Sequence, residues 1–222
     1  TVPSNAATQA AESYFGAMID AVQPWVPSIA RLFTPAAPPT RRVVDAAVEE
    51  LASAALQREG SQLVGAGFVA APGVLADARW HMAWWQGARA ERLLTDGEDA
   101  AGEAYARREW FVRPLEEGIP HLTGPYVDFL CTDEYTVTVT LPVVVAGRNV
   151  GVVGADVLAA TLERGLGARL REVSPRAALL NSHGRVIVSA DPLVAAGTLL
   201  REDAGERIAS DFLGLSVVVP AA

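Results

Sequence analysis

The chain has 222 residues, half of them hydrophobic and a fifth charged, with a formal net charge of −8 at pH 7. That composition describes one large globular domain, or one with a partial second, and excludes a disordered chain. The acidic excess leaves no long-range attraction for phosphate backbones or anionic lipid surfaces, so nucleic acid is excluded as a partner. A single cysteine, Cys131, rules out a disulfide framework and thiolate zinc sites.

From the N-terminus, residues Ala6 to Phe33 read as a long helix, with Ala10, Tyr14, Phe15, Met18, Ile19 and Val22 near one face. Pro24 and Pro27 should break or kink it. PAAPPT (35–40) is a linker, and Thr40 is a suitable N-cap for a helix over Arg41–Arg58. The apolar stripe of that helix reads as Val43, Val44, Ala47, Leu51 and Leu56, with Gly60 as its stop. QLVGAGFVA (62–70) and VLADARWHMAWWQ (74–86) flank Pro72-Gly73 and read as a hairpin. On its second strand Trp80, Met82 and Trp84 share one face, and Arg79, His81, Ala83 and Trp85 share the other.

A helix near Glu98–Arg108 is expected after the polar TDGEDA. The chain returns to strand over 131–145, where Tyr135, Val137, Val139 and Leu141 alternate with Thr136, Thr138 and Thr140. A turn at Gly147 pairs it with NVGVVGADV (149–157), and a helix over 158–172 follows. After Pro175, residues 177–192 read as a tight hairpin turning at His183-Gly184, and LGLSVVVPA (213–221) as a further strand. Antiparallel strands with segregated helices place the chain in the α+β class. Strict βαβ alternation is missing, which argues against a doubly wound nucleotide-binding fold. The expected parts are N-terminal helices over 1–60, a central unit over 61–172 and a small β-rich part over 173–222.

The chemistry concentrates in RREWFVRPLEEGIPHLTGPYVD (107–128). An Arg guanidinium holds a carboxylate by two parallel hydrogen bonds. An Asp carboxylate and a Tyr hydroxyl take an ammonium group, and aromatic faces attract the cation directly. Arg108, Trp110, Phe111, Tyr126 and Asp128, joined by Asp156 at the end of VGVVGAD, therefore make a candidate pocket for an α-amino acid or an amine. Trp84 is a candidate additional wall. Each residue also has a plainer reading: Arg108 as a surface ion pair, Trp110 and Phe111 as core rings, Tyr126 and Asp128 as turn chemistry, Asp156 as a helix N-cap.

The series RREWF, then TGPYVD, then a strand pair ending in GVVGAD, resembles the Cache family of bacterial extracytoplasmic sensor domains. Tyr126 follows Arg108 by 18 residues and Asp156 follows Asp128 by 28, in line with the amino-acid-binding members. The resemblance spans residues 5–172 and implies a PAS-like sheet behind a long N-terminal helix. It implies Arg108 and Trp110 on a ligand carboxylate, and Tyr126, Asp128 and Asp156 on its amino group. The chain departs from the family pattern at Glu103, where Tyr is usual, with Tyr105 two positions on. Phe111 also stands where Tyr is common. An acid at Glu103 would favour a more cationic ligand. The tail resembles an incomplete second PAS-like unit.

The expected function is therefore ligand sensing without catalysis or cofactor, in an extracytoplasmic region of a bacterial protein. The ligand would bias the arrangement of the insert 98–128 over the sheet. The partner is a small amino acid or amine, with a homodimer through the N-terminal helix as a possible assembly. No apolar run approaches the ~20 residues that span a bilayer, so a membrane link is expected only through segments outside this chain. The chain opens at Thr1 without a signal-peptide pattern and reads as an excised domain or a processed protein. His81, His121 and His183 stand apart from one another and suggest no metal site. A structural or dimerisation module is the main alternative, and a hydrolase using His81 or His121 a lesser one.

Overall fold

The computed structural model describes residues 2–34, 37–93, 98–127, 134–201 and 204–220. The helices are α1 (Val2–Val22), α2 (Trp25–Ala30), α3 (Arg41–Leu56), α4 (Glu98–Tyr105), α5 (Glu109–Glu117) and α6 (Ala159–Val173). The strands are β1 (Gly65–Ala70), β2 (Met82–Gln86), β3 (Glu91–Arg92), β4 (His121–Val127), β5 (Tyr135–Val145) and β6 (Arg148–Leu158), followed by β7 (Ala178–Leu180), β8 (Val186–Ser189), β9 (Gly205–Ala209) and β10 (Ser216–Pro220). They form a six-stranded sheet of order β3-β2-β1-β6-β5-β4 and a four-stranded sheet of order β8-β7-β10-β9. The α+β class expected from the element order is the class observed.

The chain divides into two compact units: residues 1–17, 122–138 and 157–222 in one, residues 18–121 and 139–156 in the other. This division follows contacts and interleaves the linear segments 1–60, 61–172 and 173–222. In the first unit α6 packs on β8, and Ala178, Leu180, Val186 and Val218 form a core with Val194 and Leu200 against it.

In the second unit α3 packs on β1 and β2. Its buried stripe is Val44, Val48, Ala52 and Leu56, while Val43 is 47% exposed. The expected stripe thus loses Val43, and Val48 and Ala52 stand in place of Ala47 and Leu51, because four-residue spacing keeps a single line facing the sheet. Thr40 occupies the N-cap position without a side-chain bond; Asp77 Oδ1 instead accepts the Arg41 backbone N–H at 2.8 Å.

The β1–β2 hairpin forms, with Gly65 opposite Gln86 and Gly67 opposite Trp84. Its second strand starts at Met82, so the connection is longer than a Pro-Gly turn. On the other side β1 pairs with β6, placing Gly65 opposite Asp156 and Gly67 opposite Gly154. The Gly-Pro step read as a turn lies inside strand β4, and Gly124–Pro125 is cis. Helix α5 and strands β3, β4 and β9 are absent from the sequence reading.

Candidate functional site

Directly opposed residues of neighbouring strands share a face of the sheet. One row on the second unit's sheet is therefore Gln86–Gly65–Asp156, and the next is Trp84–Gly67–Gly154. The three glycines floor a trough in which the Trp84 indole lies against the backbone. A Cβ on Gly67 would stand 2.7 Å from Trp84 Cε3, and one on Gly154 would stand 3.5 Å from Trp84 Cη2. At Gly65 a Cβ would stand 2.7 Å from Trp84 Nε1 and 3.0 Å from Asp156 Oδ2. The glycine thus lets an indole N–H and a carboxylate oxygen converge above one backbone position.

Asp156 is 2% exposed and lies within β6. The N-cap position of α6 belongs to Leu158, so the capping reading of Asp156 does not hold. Trp84 is 4% exposed, and among the described residues neither its Nε1 nor the buried Gln86 Oε1 has a hydrogen-bond partner. Buried polar atoms are nearly always paired in native proteins, so two such atoms in adjacent rows mark this end of the face as unusual.

The insert helices cover the same face. Val69 and Met82, further along it, line a cavity of about 100 Å³ with Ala70, Trp80, Leu93, Gly102, Tyr105, Ala106 and Phe111. His81 and Arg92 complete the lining. Met82 and Gln86 stand four positions apart along β2, which is roughly 13 Å of strand. The cavity and the polar row thus sit at two ends of one face, with Trp84 between them. The cavity is small beside the ~300–1,000 Å³ of ordinary ligand clefts, so it suits a compact group.

In the insert, Tyr105 and Trp110 stack at a tilt with centroids 6.0 Å apart, and Trp110 meets Phe111 edge-on at the same distance. Helix α5 is clipped at its ends: His121 Nε2 lies 2.8 Å from Glu109 Oε1. Asn149 Nδ2 donates to the Leu115 carbonyl at 3.0 Å. On the far side of the hairpin, Asp45 of α3 holds His81 Nε2 at 2.7 Å and Arg92 at 2.5 Å. Arg92 also lies over the Trp85 ring, 5.4 Å from its centroid. Burial would raise the Asp45 carboxyl above its usual value, but the hydrogen bonds from His81 and Arg92 outweigh it and hold it lower. His81 and His121 therefore act as clips between elements.

The residues chosen from sequence distribute unevenly. Asp156, Trp84, Trp110 and Phe111 are buried in the second unit, on or over one sheet face. Arg108 takes the N-cap position of α5 with its side chain exposed, and Glu103 is exposed on α4. Neither lines the cavity. Tyr126 belongs to the first unit, where its hydroxyl hydrogen-bonds Thr138 Oγ1 at 2.8 Å. Asp128 lies outside the described residues. Sequence reasoning missed Gln86, although the alternation of RWHMAWWQ places it on the face of Trp84. Tyr105, noted only as a neighbour of Glu103, is the ring that lines the cavity.

Among the described residues no group of three His, Cys, Asp or Glu side chains is placed to hold a metal, and no helix is long and apolar enough to cross a membrane.

No protein-family model and no curated protein matches the sequence. Solved structures do match its fold. The ligand-binding domain of the Pseudomonas aeruginosa amino-acid chemoreceptor PctC, in complex with GABA, superposes with a TM-score of 0.64 at 17% identity, covering 99% of this chain and 96% of that one. The ligand-binding domain of the Pseudomonas fluorescens chemoreceptor CtaA, in complex with L-valine, gives 0.62 at 19% identity over 96% of this chain and 91% of that one. The extracellular domain of mmHK1S-Z3, described as a histidine kinase, gives 0.66 at 14% identity over 98% and 91%. The chain has the fold of these sensor domains, as the Cache resemblance implied.

Proposed function

We propose that this chain is a ligand-sensing domain of a bacterial signalling protein, and that Asp156 receives the amino group of a small amino acid or amine. The observation that carries the reading is the convergence of the buried Asp156 carboxylate and the Trp84 indole above Gly65. A carboxylate holds an ammonium group by charge and hydrogen bonding together. The sheet supplies a rigid floor, while Tyr105, Trp110 and Phe111 supply the cover. The ligand favours the arrangement of α4 and α5 that closes on it, and that bias is the signal.

The fold shared with chemoreceptor domains crystallised with amino acids supports this reading. It assigns binding and no catalysis. Arg108 at the start of α5 takes a ligand carboxylate when there is one. Glu103 adds negative charge near the insert. An extracytoplasmic location and dimerisation through α1 complete it.

A thermal-shift screen of amino acids and small amines tests the reading. A ligand present at 100 times its dissociation constant adds about 2.7 kcal/mol of stability. No shift with any member of either class overturns the assignment and leaves the module without a small-molecule ligand.

A further inference from the structure

We infer that Trp84 and Gln86 form a specificity element that selects amines bearing a hydrogen-bond acceptor on the neighbouring carbon. This rests on the reading that Asp156 holds the ammonium group. Three facts carry it.

The first is chemical complementarity. Along one strand face the chain buries a donor, Trp84 Nε1, and an acceptor, Gln86 Oε1, and neither finds a partner among the described residues. A buried donor or acceptor left unmade is unfavourable, so a site containing both discriminates strongly in favour of a ligand that satisfies both. Indole nitrogen only donates, so its partner on the ligand must be an oxygen or another acceptor. The amide oxygen of Gln86 accepts, so its partner must carry N–H or O–H.

The second is placement. Gln86 and Asp156 flank Gly65 in register, and Gly65 has no side chain to separate them. Two strand spacings put their Cα atoms roughly 10 Å apart. Trp84 Nε1 reaches the same position. An ammonium group with several N–H vectors bonds Asp156 and Gln86 together, and an oxygen one carbon away faces Trp84.

The third is rigidity. The indole is 4% exposed and packs directly over Gly67 and Gly154, where a Cβ would meet it at 2.7 and 3.5 Å. Trp84 therefore presents its N–H in a fixed direction, which makes it a reader of the ligand and not an adaptable wall. Amino acids, their amides and 2-amino alcohols satisfy the element; plain alkylamines leave Trp84 unpaired.

Calorimetric titration with a matched set tests this: L-valine, L-valinamide, L-valinol and 1,2-dimethylpropylamine share one branched amine and differ in the group on the neighbouring carbon, which carries an acceptor in the first three. The wild-type domain should bind the three acceptor-bearing compounds roughly tenfold or more tighter than the alkylamine. Trp84→Phe keeps the ring in its glycine trough and should collapse that ratio towards one. Gln86→Leu should weaken all four together. Gly65→Ala, which crowds Trp84 Nε1 and Asp156 Oδ2 at once, should abolish binding, with circular dichroism and thermal unfolding confirming that each variant is folded. An unchanged ratio in Trp84→Phe, or an equally tight alkylamine in the wild type, overturns the inference while the amine-binding reading stands. Absence of binding by all four to the wild type overturns both for this ligand set.

Discussion

The buried hydroxyl of Thr140 donates a 2.7 Å hydrogen bond to the backbone carbonyl of Trp110, 30 residues away in sequence. The carbonyl needs it. In a regular helix the Trp110 oxygen would accept from the N–H of the residue four places on, but that residue is Pro114, which has none. A strand side chain thus fills a gap that the helix sequence creates, and so fixes the aromatic insert to the sheet.

Thr140→Val keeps the volume and removes the donor, leaving a buried carbonyl unpaired. The expected loss is about 1–3 kcal/mol of stability. Pro114→Ala restores a backbone N–H to the helix, so the double variant should recover much of that loss. Denaturant unfolding of the four proteins gives the coupling directly; strictly additive effects would contradict the account.

Asp156→Asn preserves shape but removes the charge and turns one accepting oxygen into a donating NH2. Affinity for any amino-acid or amine hit should fall about tenfold to a hundredfold, which is the scale of a hydrogen bond to a charged group. Isothermal calorimetry checks it, and unchanged affinity removes the amino-group assignment.

Arg108 lies exposed at the start of α5. Arg108→Ala should leave stability within about 0.5 kcal/mol of wild type. If the guanidinium meets a ligand carboxylate, amino acids should weaken more than amines of the same skeleton. Equal effects on both classes argue against that contact.

The Asp45 carboxyl, held below its ordinary value, contributes stability through His81 and Arg92. A lowered folded-state value means that this contribution is complete above the ordinary carboxylate value near 3.8 and is lost as pH falls below it. Asp45→Asn should cost about 1–3 kcal/mol at neutral pH. The gap between wild type and variant should close on acidification below about pH 4. Urea melts across that range measure it.

Gly67→Ala places a methyl 2.2 Å from the Ala83 carbonyl and 2.7 Å from the Trp84 ring. Backbone and indole must both move, and overpacking of this kind costs about 1–3 kcal/mol. Calorimetric unfolding checks the cost, and a variant as stable as wild type would show that Trp84 is not wedged.

Much of the architecture was legible because periodicity is a local property. Strands β5 and β6 and helix α6 lie within a few residues of their expected bounds, because alternating Val and Thr and then a helical repeat announce themselves. What escaped depends on distant partners. Helix α5 contains Pro114 and four charged residues among nine, which reads as loop until Thr140 supplies the missing bond. Strand β4 was hidden by Gly124-Pro125, a pair that usually marks a turn. The position of Asp156 next to a helix made an N-cap reasonable, and only the pairing with Gly65 shows it facing the sheet. Gln86 lay one alternation step beyond Trp84, yet a lone Gln carries no motif. Arg108 was legible as a residue type, but its exposure follows from the α5 start, which the sequence did not reveal.

The most direct measurement is an electron-density map of the domain crystallised with its tightest amino-acid or amine hit. The account predicts ligand density over Gly65, with the ammonium nitrogen about 3 Å from an Asp156 carboxylate oxygen. Density that instead lies away from this sheet face, with the Asp156 row untouched, would contradict it.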